Sequence, residues 1–202
     1  MELSKTTNIR VLLFFIVLLN TVMICLLTIW SLQDRRALNI MTRDIQELKK
    51  AVELEIKLRE EILPQIKKSA SLLSKYNPEL DNATALSLAA KIYACSDESV
   101  PHDILTALIV VESGADHKAV SNKGALGLTQ VLPQVWGQYP PEDLLDPYKN
   151  IEAGASILKW YVSRYGLVRG LRAYHSGPKY ATRPDMSTMF IKKIVTIASE
   201  HF

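Results

Sequence analysis

The chain has 202 residues, a length that suits one globular domain with an appendage or two very small domains. Its formal net charge is +3 with 22% charged residues, and no arginine-rich stripe interleaves with aromatic residues, so the composition does not indicate nucleic-acid binding. The two cysteines and four histidines form no disulfide framework, zinc pattern or H-E-x-x-H motif, so we predict neither a metal site nor a cofactor.

An N-terminal tail at 1–10 leads into an uncharged, apolar segment at 11–32. A helix of this length matches the roughly 20 residues needed to span a bilayer. Asp34, Arg35 and Arg36 follow the segment, without the small-residue cleavage site of a signal peptide. We therefore predict an uncleaved single-pass membrane anchor. The alternatives are a cleaved signal peptide and a buried core helix, although core helices rarely stay apolar on every face.

The basic residues around this segment predict its orientation in the membrane. Lys5 and Arg10 precede the segment, and more basic residues follow it: Arg35, Arg36, Arg43, Lys49 and Lys50. Because the side that is richer in Lys and Arg usually stays in the cytoplasm, this distribution places the C-terminal part of the chain there.

A charged stretch at 33–76 has a helical pattern. Its apolar residues recur in steps of three and four: Leu38, Met41, Ile45, Leu48, Val52, Ile56, Leu63 and Ile66. These steps resemble a heptad seam with a stutter, and Pro64 interrupts the helix or starts a new one. The stretch is either a stalk that forms a homo-oligomer or a single amphipathic helix that packs on its own domain.

Asn77-Pro78 marks a predicted boundary, after which 77–202 has a typical domain size. Short helical patterns dominate this part, so we predict a mainly α domain. The predicted helices span 84–95, 101–113, 130–138, 151–165, 167–174 and a last one from an N-cap at Asp185 to Ala198. The strand-like pattern is confined to a short hairpin at 121–128.

Glu112 ends the aliphatic helix at 101–113. Leu105, Leu108 and Ile109 precede it by seven, four and three residues, which puts Glu112 on or beside the apolar face. Partial burial and the helix dipole both disfavour a charged carboxylate in the last turn. A carboxyl that stays protonated near neutral pH suits a general acid. The alternative is a surface glutamate at a frayed helix end.

A glycine-containing polar loop follows the glutamate. Gly114, Gly124 and Gly127 permit positive φ angles and a close approach of the backbone to a ligand. The spacing is not that of a dinucleotide-binding fingerprint. A wall of backbone amides instead suits a polar, extended substrate such as a sugar chain.

Three ordered motifs stand out in this part of the chain. The first motif comprises 112–114, 119–121 and 124–133, the second Asn150, Gly154 and Leu158, and the third the run from Ala173 to Gly177. Together they resemble the motifs of lytic transglycosylases with the soluble-transglycosylase type of catalytic domain. The resemblance covers about residues 80 to 200 and leaves the predicted anchor and stalk outside it.

The resemblance implies a lysozyme-like, mainly α fold that cleaves the β-1,4 bond between N-acetylmuramic acid and N-acetylglucosamine in peptidoglycan. Glu112 takes the place of the single catalytic acid, which protonates the glycosidic oxygen and then accepts the proton of the muramic 6-hydroxyl. The product would carry a 1,6-anhydromuramic end. Most glycosidases use two carboxylates, but exceptions exist, and no second acid in this sequence is as well placed.

The resemblance also implies a set of substrate-binding residues: Ser121, Gln130, Leu132, Tyr174 and His175. In the family, the position of Leu132 is often methionine and lines the cleft, and the tyrosine hydroxyl approaches the glutamate. Two residues depart from the family pattern. Thr129 stands where methionine is common, and His175 stands where asparagine is preferred, which bears on substrate preference and pH dependence.

Two other functions fit the same residues. A lysozyme would hydrolyse the same bond, and a non-catalytic scaffold would bind glycan strands for a secretion, conjugation or lysis machine. A peptidoglycan substrate implies a bacterial or phage protein whose C-terminal domain faces the periplasm or cell wall from the inner membrane. This orientation is opposite to the one that the basic residues predict, but large domains translocate largely regardless of charge.

Overall fold

The computed structural model describes residues 3–30 and 35–202. The predicted anchor and stalk therefore meet at residues that lie outside the described part, namely 31–34, as do the first two residues of the predicted tail. The prediction of a mainly α chain is confirmed, because the described residues contain helices and no named strand. Two compact units divide the chain, Met1–Leu58 and Arg59–Phe202.

The first unit contains helices α1, Leu3–Trp30, and α2, Arg35–Lys57. Large apolar side chains along α1 are exposed, among them Leu12, Phe14 and Leu19. None of the described helices is both long enough and apolar enough to cross a membrane. Helix α2 is amphipathic, and several apolar residues along it, including Leu48, are also exposed.

A π turn at Leu58–Ile62 spans the boundary between the units, and the helices of the second unit that follow it position the candidate site. These helices are α3 Leu63–Tyr76, α4 Asn82–Cys95, α5 His102–Ser113, α6 Pro141–Leu144, α7 Pro147–Tyr165, α8 Leu167–Ser176 and α9 Thr188–His201. A short 3-10 turn, Pro178–Tyr180, lies between α8 and α9.

Helix α3 packs within the second unit. Leu72 and Leu73 are buried and belong to the same core as α4 and α5. Pro64 lies in the first turn of α3, where a proline removes no intrahelical hydrogen bond. The predicted stalk at 33–76 therefore divides at the π turn, and the boundary predicted at Asn77-Pro78 falls between two helices that pack together.

Helix α5 forms the centre of the second unit. Its residues from Ile104 to Val110 are all buried, and α3, α4 and α9 pack around it. A second apolar cluster combines Ile157 and Tyr161 of α7 with Val131 of the loop that follows α5. Tyr174 of α8 packs against both clusters, so it lies where the two meet.

Two predicted elements in this unit are wrong. The segment 130–138 forms turns rather than a helix. Its first residue, Gln130, has a φ of +52°, in the left-handed region that a right-handed α-helix does not use. The predicted hairpin at 121–128 is reduced to isolated bridges, which join Leu126 to Val120 and to Val131.

The predicted start of the last helix is also wrong. Helix α9 begins at Thr188, and Ser187 rather than Asp185 occupies the N-cap position. The Asp185 carboxylate accepts hydrogen bonds of 3.2 Å from the Arg183 guanidinium instead. Thr188 Oγ1 donates to the carbonyl of Pro184 at 2.6 Å, which closes the turn before the helix.

Candidate active site

Glu112 lies in the last turn of α5, at the end of the most buried helix of the unit. The helix stops at Gly114, whose φ of +64° is left-handed and whose N–H donates to the carbonyl of Val110 at 3.0 Å. The side chain of Glu112 is only 14% exposed. The buried helix thus presents a single, largely shielded carboxyl at its C-terminal end.

The loop that follows Glu112 is held in shape by its own polar side chains. Ser121 Oγ accepts a hydrogen bond of 2.9 Å from the N–H of Ala125. Gln130 Nε2 donates to the carbonyls of Gly127, at 2.9 Å, and Ala119, at 3.2 Å. Both predicted binding residues therefore shape the loop, and the positive φ of Gln130 is stabilised by these bonds.

Asn150 of α7 anchors this loop to the rest of the domain. The side chain is fully buried, and its Oδ1 accepts from the Thr129 N–H at 2.8 Å and from Thr129 Oγ1 at 2.7 Å. Its Nδ2 donates to the carbonyls of Leu126, at 2.8 Å, and Leu144, at 2.9 Å. One amide therefore fixes three backbone positions, two in this loop and one at the end of α6.

Gly154 lies one turn after Asn150 on the same face of α7. A Cβ atom at Gly154 would lie 2.4 Å from the Cβ atom of Thr129, so only glycine lets the loop approach the helix this closely. A Cβ atom at Gly127 would meet Asn150 Nδ2 at the same distance of 2.4 Å. Packing therefore explains why Asn150 and Gly154 of the second motif lie four residues apart. Their buried partner is Thr129, one of the two residues that depart from the family pattern.

Tyr174 of α8 binds this anchored loop and lies near Glu112. Its hydroxyl donates a hydrogen bond of 2.8 Å to the carbonyl of Thr129. Burial raises the pKa of Tyr174, and the charge of the nearby Glu112 carboxylate raises it further. Tyr174 is therefore a neutral phenol. Because its hydroxyl proton is donated to the carbonyl of Thr129, its oxygen can act towards Glu112 only as a hydrogen-bond acceptor.

His175, the next residue of α8, lies directly beside Glu112. Its Nδ1 is 3.6 Å from Glu112 Oε1, and its ring stacks on Phe190 of α9 with centroids 4.0 Å apart and an angle of 17° between the planes. The side chain is 44% exposed. Phe190 is a site residue that the sequence motifs do not indicate, since it lies outside all three.

A groove of about 270 Å³ lies next to His175, which forms part of its lining. Four of the predicted binding residues line it, namely Gln130, Leu132, Tyr174 and His175, whereas Ser121 and Glu112 do not. Trp136 and Tyr161 also line the groove, with ring centroids 5.8 Å apart. Aromatic side chains of this kind, which the sequence analysis did not single out, suit the apolar faces of sugar rings.

A larger cavity of about 470 Å³ lies between α3, α5 and α9 and contains none of the predicted site residues. Among the described residues, no group of three or more His, Cys, Asp or Glu side chains could hold a metal ion. The smaller groove, with a shielded carboxyl, a neutral phenol and an imidazole beside it, is therefore the candidate active site. An arrangement of this kind can transfer a proton through a single carboxyl.

Two known proteins are similar to part of this chain. The chain is 33% identical over 79 residues to a protein named transglycosylase from Enterobacteria phage PRD1, which covers 39% of this chain and 30% of that protein. It is 32% identical over 95 residues to the soluble lytic murein transglycosylase of Escherichia coli strain K12, which covers 41% of this chain and 15% of that protein. The chain thus spans less than a third of the length of either relative. No solved structure matches the chain.

A protein-family model extends the comparison over the whole candidate site. The model described as "Transglycosylase SLT domain" matches residues 89–194, just over half of the chain. The matched segment runs from α4 into α9 and includes Glu112, the anchored loop, Tyr174 and His175. The chain belongs to the transglycosylase SLT domain family.

Proposed function

We propose that this protein is a peptidoglycan lytic transglycosylase with a lysozyme-like fold. It cleaves the β-1,4 bond between N-acetylmuramic acid and N-acetylglucosamine and leaves a 1,6-anhydromuramic end. The observation that carries the proposal is the position of Glu112, a shielded carboxyl beside a groove in a chain of the SLT family. The names of the two relatives, both transglycosylases, also support it.

In the first step, the protonated Glu112 carboxyl donates its proton to the glycosidic oxygen. The bond between this oxygen and C1 of the muramic acid breaks, and the N-acetylglucosamine leaves as an alcohol. The Tyr174 hydroxyl donates its proton to the carbonyl of Thr129, which leaves the oxygen of this residue as an acceptor next to the site. The low exposure of Glu112 limits competing proton transfer from water.

In the second step, the Glu112 carboxylate accepts the proton of the muramic 6-hydroxyl while that oxygen bonds to C1. This step forms the 1,6-anhydro ring and restores the protonated carboxyl. Because the internal hydroxyl replaces water as the nucleophile, one carboxylate can perform both steps. We propose that Gln130, Leu132 and His175 contact the glycan in the groove, and that Ser121 acts by shaping the loop.

The proposal is tested by incubating the purified full chain with peptidoglycan and measuring the masses of the released fragments. We expect muramic ends that are lighter by one water than the products of hydrolysis. Release of fragments with reducing, hydrated ends would contradict the proposal and indicate a lysozyme. Binding to peptidoglycan without any release would also contradict it and indicate a glycan-binding scaffold.

We further propose that the segment at 11–32 anchors the protein in the bacterial inner membrane, with the catalytic domain facing the periplasm. The support is the uncharged sequence of this segment and the exposure of Leu12, Phe14 and Leu19 on α1. The full chain is expected in the membrane fraction of cells, and a variant without 1–32 in the soluble fraction. Protease added outside spheroplasts should degrade the C-terminal domain of the full chain. A full chain found in the soluble fraction would rule out the anchor. A C-terminal domain that is fully protected from the protease would rule out the proposed orientation.

Helix α2 is proposed to form a homo-oligomer through the exposed apolar residues of its seam, such as Leu48. Ion pairs between residues four apart, Arg43 with Glu47 and Lys49 with Glu53, support the helix itself. In analytical ultracentrifugation, the variant without 1–32 is expected to sediment as an oligomer. A monomer at every concentration would contradict this proposal.

A further inference from the structure

Lys123 places a cationic side chain in the lining of the groove. It comes from the loop between α5 and α6, and Gln130, Leu132, Trp136 and His175 line the groove with it. Among the described residues of this lining, none is an aspartate or a glutamate. The groove therefore offers a positive charge to its occupant, and its own lining provides no carboxylate to neutralise that charge.

The turn that carries Lys123 is held in place by Ser121. Ser121 Oγ accepts hydrogen bonds from the N–H groups of Lys123, at 3.3 Å, and Ala125, at 2.9 Å. The carbonyl of Ser121 accepts another from the N–H of Gly124, also at 2.9 Å. Gly124 has a φ of +80°, which residues with a side chain rarely adopt. Ser121 does not line the groove, but it thus fixes the backbone from which the Lys123 side chain reaches the groove.

The ammonium group of Lys123 is available to a ligand. It forms neither an ion pair nor a hydrogen bond within the part of the chain that the structure describes. Three other lysines of the same unit pair with carboxylates of the protein: Lys91 with Glu152, Lys149 with Asp143 and Lys159 with Asp97. Because hydrogen bonds between an ammonium group and a carboxylate are stronger than those to neutral acceptors, an anionic group of the substrate fits this position best.

The two sugars of peptidoglycan differ in the group that such a lysine would bind. N-acetylglucosamine carries hydroxyl and acetamido groups, which are neutral. Muramic acid carries in addition a lactyl group, whose carboxyl is either a free carboxylate or the attachment point of a peptide stem with carboxylates of its own. A lysine in the groove can therefore distinguish muramic acid from its neighbour. Because the two sugars alternate, a muramic acid that is held at one place fixes the register of the whole strand.

We propose that Lys123 is a specificity-determining residue, which binds a carboxylate of the muramic acid side chain and thereby sets the register of the glycan strand in the groove. This inference rests on the proposed transglycosylase function of the same site. The register decides which of the two alternating β-1,4 bonds reaches Glu112. Lys123 thus contributes to the choice of the bond between N-acetylmuramic acid and N-acetylglucosamine.

The test compares the full chain with its Lys123→Met variant on soluble glycan strands whose carboxylates are intact or have been converted to amides with carbodiimide and ammonia. On intact strands we expect the kcat/KM of the variant to be roughly three- to tenfold lower, a moderate effect because the side chain is exposed and solvent screens its charge. On amidated strands the two proteins should have the same kcat/KM. Lys118→Met removes an exposed lysine of the same loop that does not line the groove, and it should match the native chain on both kinds of strand.

The same comparison identifies the source of the carboxylate. Strands from which an amidase has removed the peptide stems carry free lactyl carboxylates, whereas untreated strands carry carboxylates on their stems. A lower kcat/KM of Lys123→Met on the stripped strands would indicate the lactyl carboxylate, and a loss confined to the untreated strands would indicate the stem. Lys123→Arg keeps the positive charge, so it should recover most of the loss on the strands that show it.

A loss that is equal on intact and amidated strands would overturn the proposal, because Lys123 would then act through the fold of the loop and not through a carboxylate. Equal kcat/KM for the native chain and Lys123→Met on all strands would overturn it as well. If the native chain released no anhydro products from any strand, the proposed function would be rejected. Co-sedimentation with intact and amidated peptidoglycan would then test Lys123 by binding alone, and equal binding of the two proteins to intact peptidoglycan would overturn its role.

Discussion

Replacing Glu112 by glutamine is expected to lower the rate of release of anhydromuramic fragments by about a hundred- to ten-thousandfold. The amide keeps the size of the carboxyl but can neither donate an acidic proton to the glycosidic oxygen nor accept one from the 6-hydroxyl. Because both proposed steps use this one group, the variant should lose both of them. The measurement is the yield of anhydro fragments by mass spectrometry as a function of time.

The matched control for this variant is Glu98→Gln. Glu98 is exposed in the turn between α4 and α5, away from the candidate site, so its replacement should leave the rate within about twofold. Binding of Glu112→Gln to insoluble peptidoglycan should persist, because the groove is lined by other side chains. If Glu112→Gln kept more than a tenth of the native rate, a different group would have to be the acid.

Replacing Asn150 by alanine is expected to lower the free energy of unfolding of the C-terminal unit by about 3 kcal/mol or more. The change removes the acceptor for the Thr129 N–H and the donors for the carbonyls of Leu126 and Leu144. Each buried polar group without a partner costs about 1–3 kcal/mol. The measurement is chemical denaturation of the full chain followed by circular dichroism.

The control for this second variant is Asn82→Ala, since Asn82 is exposed in the first turn of α4. Its replacement should change the free energy of unfolding by less than about 0.5 kcal/mol. The Asn150 variant should also lose activity, because the carbonyl of Thr129 that accepts the Tyr174 hydrogen bond would no longer be held in place. A loss of stability below about 1 kcal/mol would mean that Asn150 does not anchor the loop.

Local signals in the sequence were enough to predict the helices around the acid. The aliphatic spacing before Glu112, the proline before α5 and the glycine after it correctly predicted a helix that ends at Ser113, one residue after Glu112. The junction of α7 and α8 at Gly166 was also predicted correctly, but α7 begins at Pro147, four residues before its predicted start. These features involve residues within a few positions of one another, so neighbouring side chains and backbone angles determine them.

The shape of the loop depends on residues far away along the chain. The pattern at 130–138 favoured a helix, but Gln130 has a left-handed backbone, and the preceding residue, Thr129, is held by Asn150 of α7. The sequence motifs indicated Asn150, Gly154 and Thr129 separately. They did not indicate that the three residues contact one another. Only packing shows that Gly154 leaves the space in which Thr129 is buried.

The sequence by itself determined the helical class of the chain, the position of Glu112 at the end of a buried helix and the motifs of its family. These follow from periodicity and short-range order, which act over one or two helical turns. Only the tertiary structure decided that α3 belongs to the C-terminal unit and that His175 lies between Phe190 and Glu112. Such contacts join separate helices, and they depend on how the apolar faces pack rather than on any local pattern.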